Sequence, residues 1–221
     1  MKFSNKQKIL AQISRTGIVP VIRAGSHNEA RSVVEAVVKG GINVLEITMT
    51  IPDAAGLIEK LTNEYQNDAL IGAGTILDAE TAQNCFNAGA KFIVSPLFDA
   101  ETVEFCRARS IVVMPGAMTV TEIYRASQAG ADAVKIFPAA ALGGVSFLKA
   151  VKTVLPEIEL MPTGGVTLKT AADYLQAGAI AVGIGGELVD LEAIRRGQLN
   201  KLIEKAHEFI QAVKMARNKN C

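Results

Sequence analysis

Eight short apolar runs, separated by longer amphipathic stretches, constrain the fold of this chain more than any other feature. The runs are Ile18 to Ile22, Val44 to Thr48, Leu70 to Thr75, Phe92 to Ser95, Ile111 to Met114, Ala133 to Phe137, Glu159 to Thr163 and Ala181 to Ile184. Helical periodicity marks the stretches between them, as in Glu29 to Val38, Ala54 to Tyr65, Ala79 to Phe86, Thr119 to Ala129 and Leu168 to Ala177. Strands that alternate with helices pair in parallel through crossover connections. The pairs Gly40-Gly41, Ala88-Gly89, Ala129-Gly130 and Ala177-Gly178 each follow a helical pattern and precede a strand-like run. Glycine just past a helix end supplies the left-handed conformation that closes the helix. Gly41, Gly89, Gly130 and Gly178 are spaced by 48, 41 and 48 positions, so the chain reads as four βαβα quarters. Eight βα units predict a TIM (β/α)8 barrel, one domain over residues 1–221. An additional N-terminal helix (Lys6 to Ser14) precedes the first strand, and a last helix runs from about Leu199 to Met215. A doubly wound open sheet is the competing arrangement. Pro20, inside the first strand, removes a ladder donor and predicts a local irregularity.

Composition narrows the function classes. At 221 residues, 49% hydrophobic and 20% charged, the chain has the make-up of a well-buried globular protein. Its 23 basic residues nearly balance 22 acidic ones, which argues against nucleic acid as the main partner. Cys85, Cys106 and Cys221 are widely separated and lack histidines at metal-ligand spacing, so they read as reduced thiols of a cytoplasmic protein. The segment Met1 to Lys6 lacks the apolar stretch of a signal peptide, and no window reaches the length of a membrane span. With only His27 and His207, a histidine-rich metal site or a Ser-His-Asp triad has little to draw on. Acid-base chemistry falls to carboxylates, lysine or tyrosine.

Active sites of such barrels lie at the C-terminal ends of the strands. The sixth run, Ala133-Val134-Lys135-Ile136-Phe137, carries a lysine among apolar residues. Lost hydration favours the neutral amine, a nucleophile able to condense with a carbonyl. A lysine whose stem packs while its head reaches water is the plainer alternative. Glu46, in Leu45-Glu46-Ile47-Thr48, shares a face with Thr48 by strand alternation. If the faces bearing Glu46 and Lys135 both point inward, the two converge on one cavity, either as a catalytic pair or as a buried salt bridge. Glycine-rich segments follow the last two strands, Thr163-Gly164-Gly165 and Gly185-Gly186. There backbone amides can approach a phosphate closely, although ordinary tight turns have the same composition. Glu187, next to Gly186, opposes a phosphate dianion unless its side chain points away.

Over nearly its whole length the chain resembles the class I 2-keto-3-deoxy-6-phosphogluconate (KDPG) and 2-keto-4-hydroxyglutarate (KHG) aldolases. The resemblance is carried by Val19-Pro20-Val21-Ile22-Arg23, Leu45-Glu46-Ile47-Thr48 and Ile71-Gly72-Ala73-Gly74-Thr75. Ile93-Val94-Ser95-Pro96, Met114-Pro115-Gly116, Lys135-Ile136-Phe137-Pro138 and Pro162-Thr163-Gly164-Gly165 extend it. It implies that Lys135 forms a Schiff base with a keto-acid substrate, that Glu46 is the general acid/base, and that Thr75 and the loop carrying Pro96 help to hold the keto acid. It also implies a cytoplasmic homotrimer that needs no cofactor, because the iminium does the polarising for which other aldolases use a metal. Two positions depart from the family pattern. Thr50 stands where many members carry an arginine, and Arg23 is expected to grip the substrate carboxylate instead. Gly186 stands where many have a serine in the phosphate loop. Two other functions remain open on the same barrel: a phosphosugar isomerase or epimerase, and a non-catalytic sugar-acid-binding protein.

Overall fold

A computed structural model describes residues 4–218, so Met1 to Phe3 and Cys221 lie outside the described residues. Among the described residues are nine parallel strands, separated by helices except for β5 and β6, which adjoin: β1 (Ile18–Ile22), β2 (Val44–Thr48), β3 (Leu70–Gly74), β4 (Phe92–Val94), β5 (Val112–Met114), β6 (Gly116–Ala117), β7 (Val134–Ile136), β8 (Leu160–Pro162) and β9 (Val182–Ile184). Helix α1 (Asn5–Thr16) precedes β1. It is followed by α2 (His27–Lys39), α3 (Ala54–Tyr65), α4 (Ala79–Asn87), α5 (Ala100–Ala108), α6 (Val120–Ala129), α7 (Gly144–Val154), α8 (Leu168–Gln176), α9 (Leu191–Arg195) and α10 (Leu199–Asn218). One sheet has the order β5-β4-β3-β2-β1-β9 and the other β6-β7-β8. The chain is thus an α/β fold with parallel strands in a curled sheet.

The predicted fifth strand differs from expectation because Pro115 divides it. Proline has no N–H to donate, so the ladder to β4 ends at Met114 and a separate two-residue strand, β6, pairs with β7. The Pro115 carbonyl accepts from the Lys135 N–H at 2.8 Å, so the interruption also fixes β7. Between β8 and β9 a single parallel bridge, Thr163 with Gly183, joins the two sheets. Pro20 has a similar local effect. Strand β1 is unbroken, but Ile18 to Pro20 pair with β9, and the ladder to β2 begins only at Val21.

Strand alternation splits the core in two. Ile22, Leu45, Ile47, Ile71, Ile93, Val113, Val134 and Ile184 face the helices, whereas Val19, Val44, Leu70, Phe92, Val112, Ala133 and Ala181 form a separate inner cluster. Ile9 and Ile13 of α1 join that inner cluster, so the first helix stops the N-terminal end of the strands. Lys6, 3.0 Å from Asp132, ties it there. Glycine makes the inner layer fit: a Cβ at Gly72 would lie 2.4 Å from the Phe92 ring. Gly41, Gly89, Gly130 and Gly178 all have left-handed φ between 91° and 100°, as the turns after α2, α4, α6 and α8 require. Among the described residues no helix is long and apolar enough to cross a membrane.

Candidate active site

Glu46 and Lys135 are inward-facing residues of β2 and β7, two strands that belong to different sheets. Both are buried, with 0% and 2% exposure, and Lys135 Nζ stands 3.4 Å from Glu46 Oε1. That separation is longer than an ordinary charged hydrogen bond, as free enzymes often show before substrate tightens the site. The Phe137 ring lies 5.5 Å from the ammonium and offers its π-face. Glu46 Oε2 is buried without any protein partner. A purely structural buried ion pair depends on further hydrogen bonds to its remaining lone pairs, and this pair leaves one carboxylate oxygen free to take a proton or a donor from a ligand. Gly74 makes the arrangement possible, because a Cβ there would sit 2.1 Å from Glu46 Oε1.

Thr48 is buried beside Glu46's strand end; its hydroxyl donates to the Ile22 carbonyl at 2.9 Å and meets the Thr50 hydroxyl at 2.7 Å. Thr50 therefore helps to pin the end of β2 against β1. Thr75 directly follows β3 with φ of 61°, a left-handed conformation costly for a β-branched residue and frequent at functional sites. Pro96 follows Ser95 at the end of β4, and its carbonyl packs where a Gly116 side chain would be.

At the C-terminal ends of β1, β7, β8 and β9 opens a cleft of about 330 Å³, which neither Glu46 nor Lys135 lines. Arg23, Phe137, Thr163, Gly164, Gly165, Gly185, Gly186 and Glu187 line it, with Val21, Val166 and Thr167. The structure thus brings Arg23 and both glycine segments to one cleft. Phe137, the residue that follows β7, connects them to Lys135 within that strand. Thr75 and Pro96 stand apart from this cleft, on the loops after β3 and β4. Arg23 is exposed, and among the described residues no carboxylate lies within ion-pair distance of it. Thr163 is buried with its hydroxyl unpartnered, against Gly183.

Three contributors escape the sequence reading. Thr167 lines the cleft as the N-cap of α8, where its N–H donates to the Thr170 hydroxyl at 3.0 Å. Glu29 of α2 accepts from the Gly25 N–H at 2.9 Å and from Arg195 at 2.6 Å, which fastens the Arg23 loop to α9. Both contacts hold its carboxyl below the usual range, the Arg195 hydrogen bond most. Lys205 pairs with Glu187 at 3.3 Å. Thr167 was within reach of the sequence, since Thr-x-x-Thr before an apolar run is a capping pattern, but no spacing rule links Glu29 to Arg195 or Glu187 to Lys205.

The KDPG and KHG aldolase family model matches residues 9–205. This chain belongs to that family. A 2-dehydro-3-deoxy-phosphogluconate aldolase of Treponema pallidum (strain Nichols) is 32% identical over 205 residues, covering 93% of this chain and 97% of the relative. A 2-dehydro-3-deoxy-6-phosphogalactonate aldolase of Escherichia coli (strain K12) is 33% identical, over 90% of this chain and 95% of its own. Among solved structures, a KDPG aldolase from Legionella pneumophila, with pyruvate captured as a covalent carbinolamine, superposes with a TM-score of 0.83 at 33% identity. It covers 90% of this chain and 96% of that one. As a family member, this chain is a lyase, a pyruvate-dependent aldolase. Among the described residues, no group of three His, Cys, Asp or Glu side chains gathers as a metal ligand set.

Proposed function

We propose that this aldolase cleaves a 2-keto-3-deoxy-4-hydroxy acid, chiefly 2-keto-3-deoxy-6-phosphogluconate, to pyruvate and glyceraldehyde 3-phosphate, with Lys135 as nucleophile and Glu46 as proton carrier. One observation carries the reading: a buried lysine, two residues before the cleft-lining Phe137, faces a buried carboxylate at 3.4 Å, and one oxygen of that carboxylate has no protein partner. The neutral amine of Lys135 attacks the C2 ketone, and the carbinolamine loses water to give an iminium. Glu46 takes the proton of the C4 hydroxyl as the C3–C4 bond breaks, and the bonding electrons move into the enamine. Aldehyde leaves, Glu46 returns its proton to C3, and water releases pyruvate from Lys135. Arg23 holds the keto-acid carboxylate and the Thr163-Gly164-Gly165 and Gly185-Gly186 amides take the distal phosphate, while Thr75 and the Pro96 loop act on the keto acid from the ends of β3 and β4, outside the cleft that Arg23 lines.

The same reading makes the curled sheet a closed eight-stranded barrel in one domain, with β5 and β6 as two pieces of a single staves' position and the Thr163–Gly183 bridge as its seam. It also makes the enzyme a cytoplasmic homotrimer with neither nucleic acid nor membrane as partner. The exposed apolar side chains Leu77, Leu97, Met118, Val120 and Tyr124, all on or next to the loops after β3, β4 and β6, support self-association. A coupled pyruvate-release assay over phosphorylated and unphosphorylated 2-keto-4-hydroxy acids, with and without chelator, tests the function. Pyruvate release insensitive to chelator is expected, and no pyruvate from any member of the panel rejects the proposal.

A further inference from the structure

Among the residues lining the cleft Glu187 is the one acidic residue, and it stands on the loop expected to meet the distal end of the substrate. Its neighbours fix its backbone: the Gly185 carbonyl accepts from the N–H groups of Leu188 and Val189, at 2.9 Å each, and both side chains are buried. Side-chain torsion alone therefore decides where the carboxylate points. Glu187 Oε1 lies 3.3 Å from Lys205 Nζ, and Lys205 belongs to α10 and does not line the cleft. Gly185 and Gly186 have φ outside the left-handed range, and a Cβ built on either meets nothing within 4 Å. Neither packing nor backbone conformation demands glycine at these two positions. Their missing side chains leave an open wall of backbone, compromised for an anion only by the carboxylate that follows.

We propose that Lys205 is a positioning residue for substrate specificity: by pairing with Glu187 from outside the cleft, it turns the carboxylate away and lets the Gly185–Gly186 wall accept a dianionic phosphate tail. The proposal rests on the reading that this wall takes the substrate's distal group. Both partners are about one-third exposed, at 33% and 37%, and an ion pair so placed contributes little to folding. Its effect lies in the local field met by a second anion, where like charges repel unless a cation offsets one of them.

The test compares wild type, Lys205→Met, Glu187→Ser and the double variant on 2-keto-3-deoxy-6-phosphogluconate and on its unphosphorylated counterpart, with melting temperatures as fold controls. Lys205→Met is expected to raise KM for the phosphorylated substrate about ten-fold and to leave the unphosphorylated one within about two-fold, a coupling of the size neighbouring charges give. Glu187→Ser in the Lys205→Met background should restore the phosphorylated KM. A double variant as impaired as Lys205→Met overturns the proposal, because Lys205 would then act on the phosphate itself. Lys205→Met indistinguishable from wild type overturns it too. Equal kcat/KM of the wild type for the two substrates rejects the phosphate wall, and the proposal falls with it.

Discussion

Replacing Gly74 with alanine displaces Glu46 without changing the identity of any reacting group. The added methyl would lie 2.1 Å from Glu46 Oε1, 2.4 Å from its Cγ and 2.5 Å from its Cδ. Reaching ordinary van der Waals contact requires the carboxylate to shift by about 1 Å, out of its present place 3.4 Å from the Lys135 amine. A misplacement of about 1 Å costs about 10²-fold in rate. Overpacking adds a destabilisation of about 1–3 kcal/mol, which lowers Tm by roughly 2–4 °C per kcal/mol in a chain of this size. Gly72→Ala is the matched control. Its methyl would press on the Phe92 ring at 2.4 Å, a comparable overlap directed at that ring and not at the side chain of Glu46, the register partner of Gly72 on β2. Pyruvate release measured at substrate saturation should therefore fall about 10²-fold in Gly74→Ala and within about three-fold in Gly72→Ala, both corrected for folded fraction. Borohydride capture of pyruvate should survive in both, because the lysine is intact. Equal kcat in the two variants would refute the assignment of proton transfer to Glu46.

Arg23→Ala should raise the pyruvate and keto-acid KM strongly with kcat nearly unchanged, and an unaltered KM in steady-state assays removes Arg23 from carboxylate binding. Asp190 accepts from the Ala193 N–H at 3.0 Å and pairs with Lys201 at 3.0 Å, contacts that hold its carboxyl below the ordinary value. Its stabilising effect is accordingly complete above the unfolded-state value and is lost as pH falls through the lower folded one. Asp190→Asn should flatten that acid limb in urea titrations run from about pH 5 downward. Burial pushes the thiols of Cys85 to about 11 and Cys106 to about 12, so neither should react with a thiol reagent at neutral pH until the protein unfolds, as peptide mapping after labelling would show.

Much of this architecture is legible in the sequence because it depends on period and punctuation. Strands β1 and β2 and helix α3 have the bounds that the apolar runs and helical periodicity predict. The four turn glycines have the left-handed φ that their positions after helices imply. The facing of Glu46 and Lys135 follows from strand alternation once both strands curl about a common interior. What the sequence hides is long-range and set by single side chains. Pro115 ends one ladder and opens another, an effect that requires knowledge of both neighbouring strands. Glu29 with Arg195, and Glu187 with Lys205, meet across elements whose separation in the chain bears no relation to their separation in space. Gly74 could be read as a turn glycine, yet its reason is the carboxylate on the neighbouring strand.

The nucleophile itself is open to one direct measurement: incubation of the wild type and of Lys135→Met with pyruvate and borohydride, followed by mass spectrometry of the intact chain and its peptides. The account predicts one reduced pyruvate adduct per chain, located on Lys135 and missing from the variant. An adduct on another lysine, or no adduct while the enzyme still releases pyruvate, would contradict it.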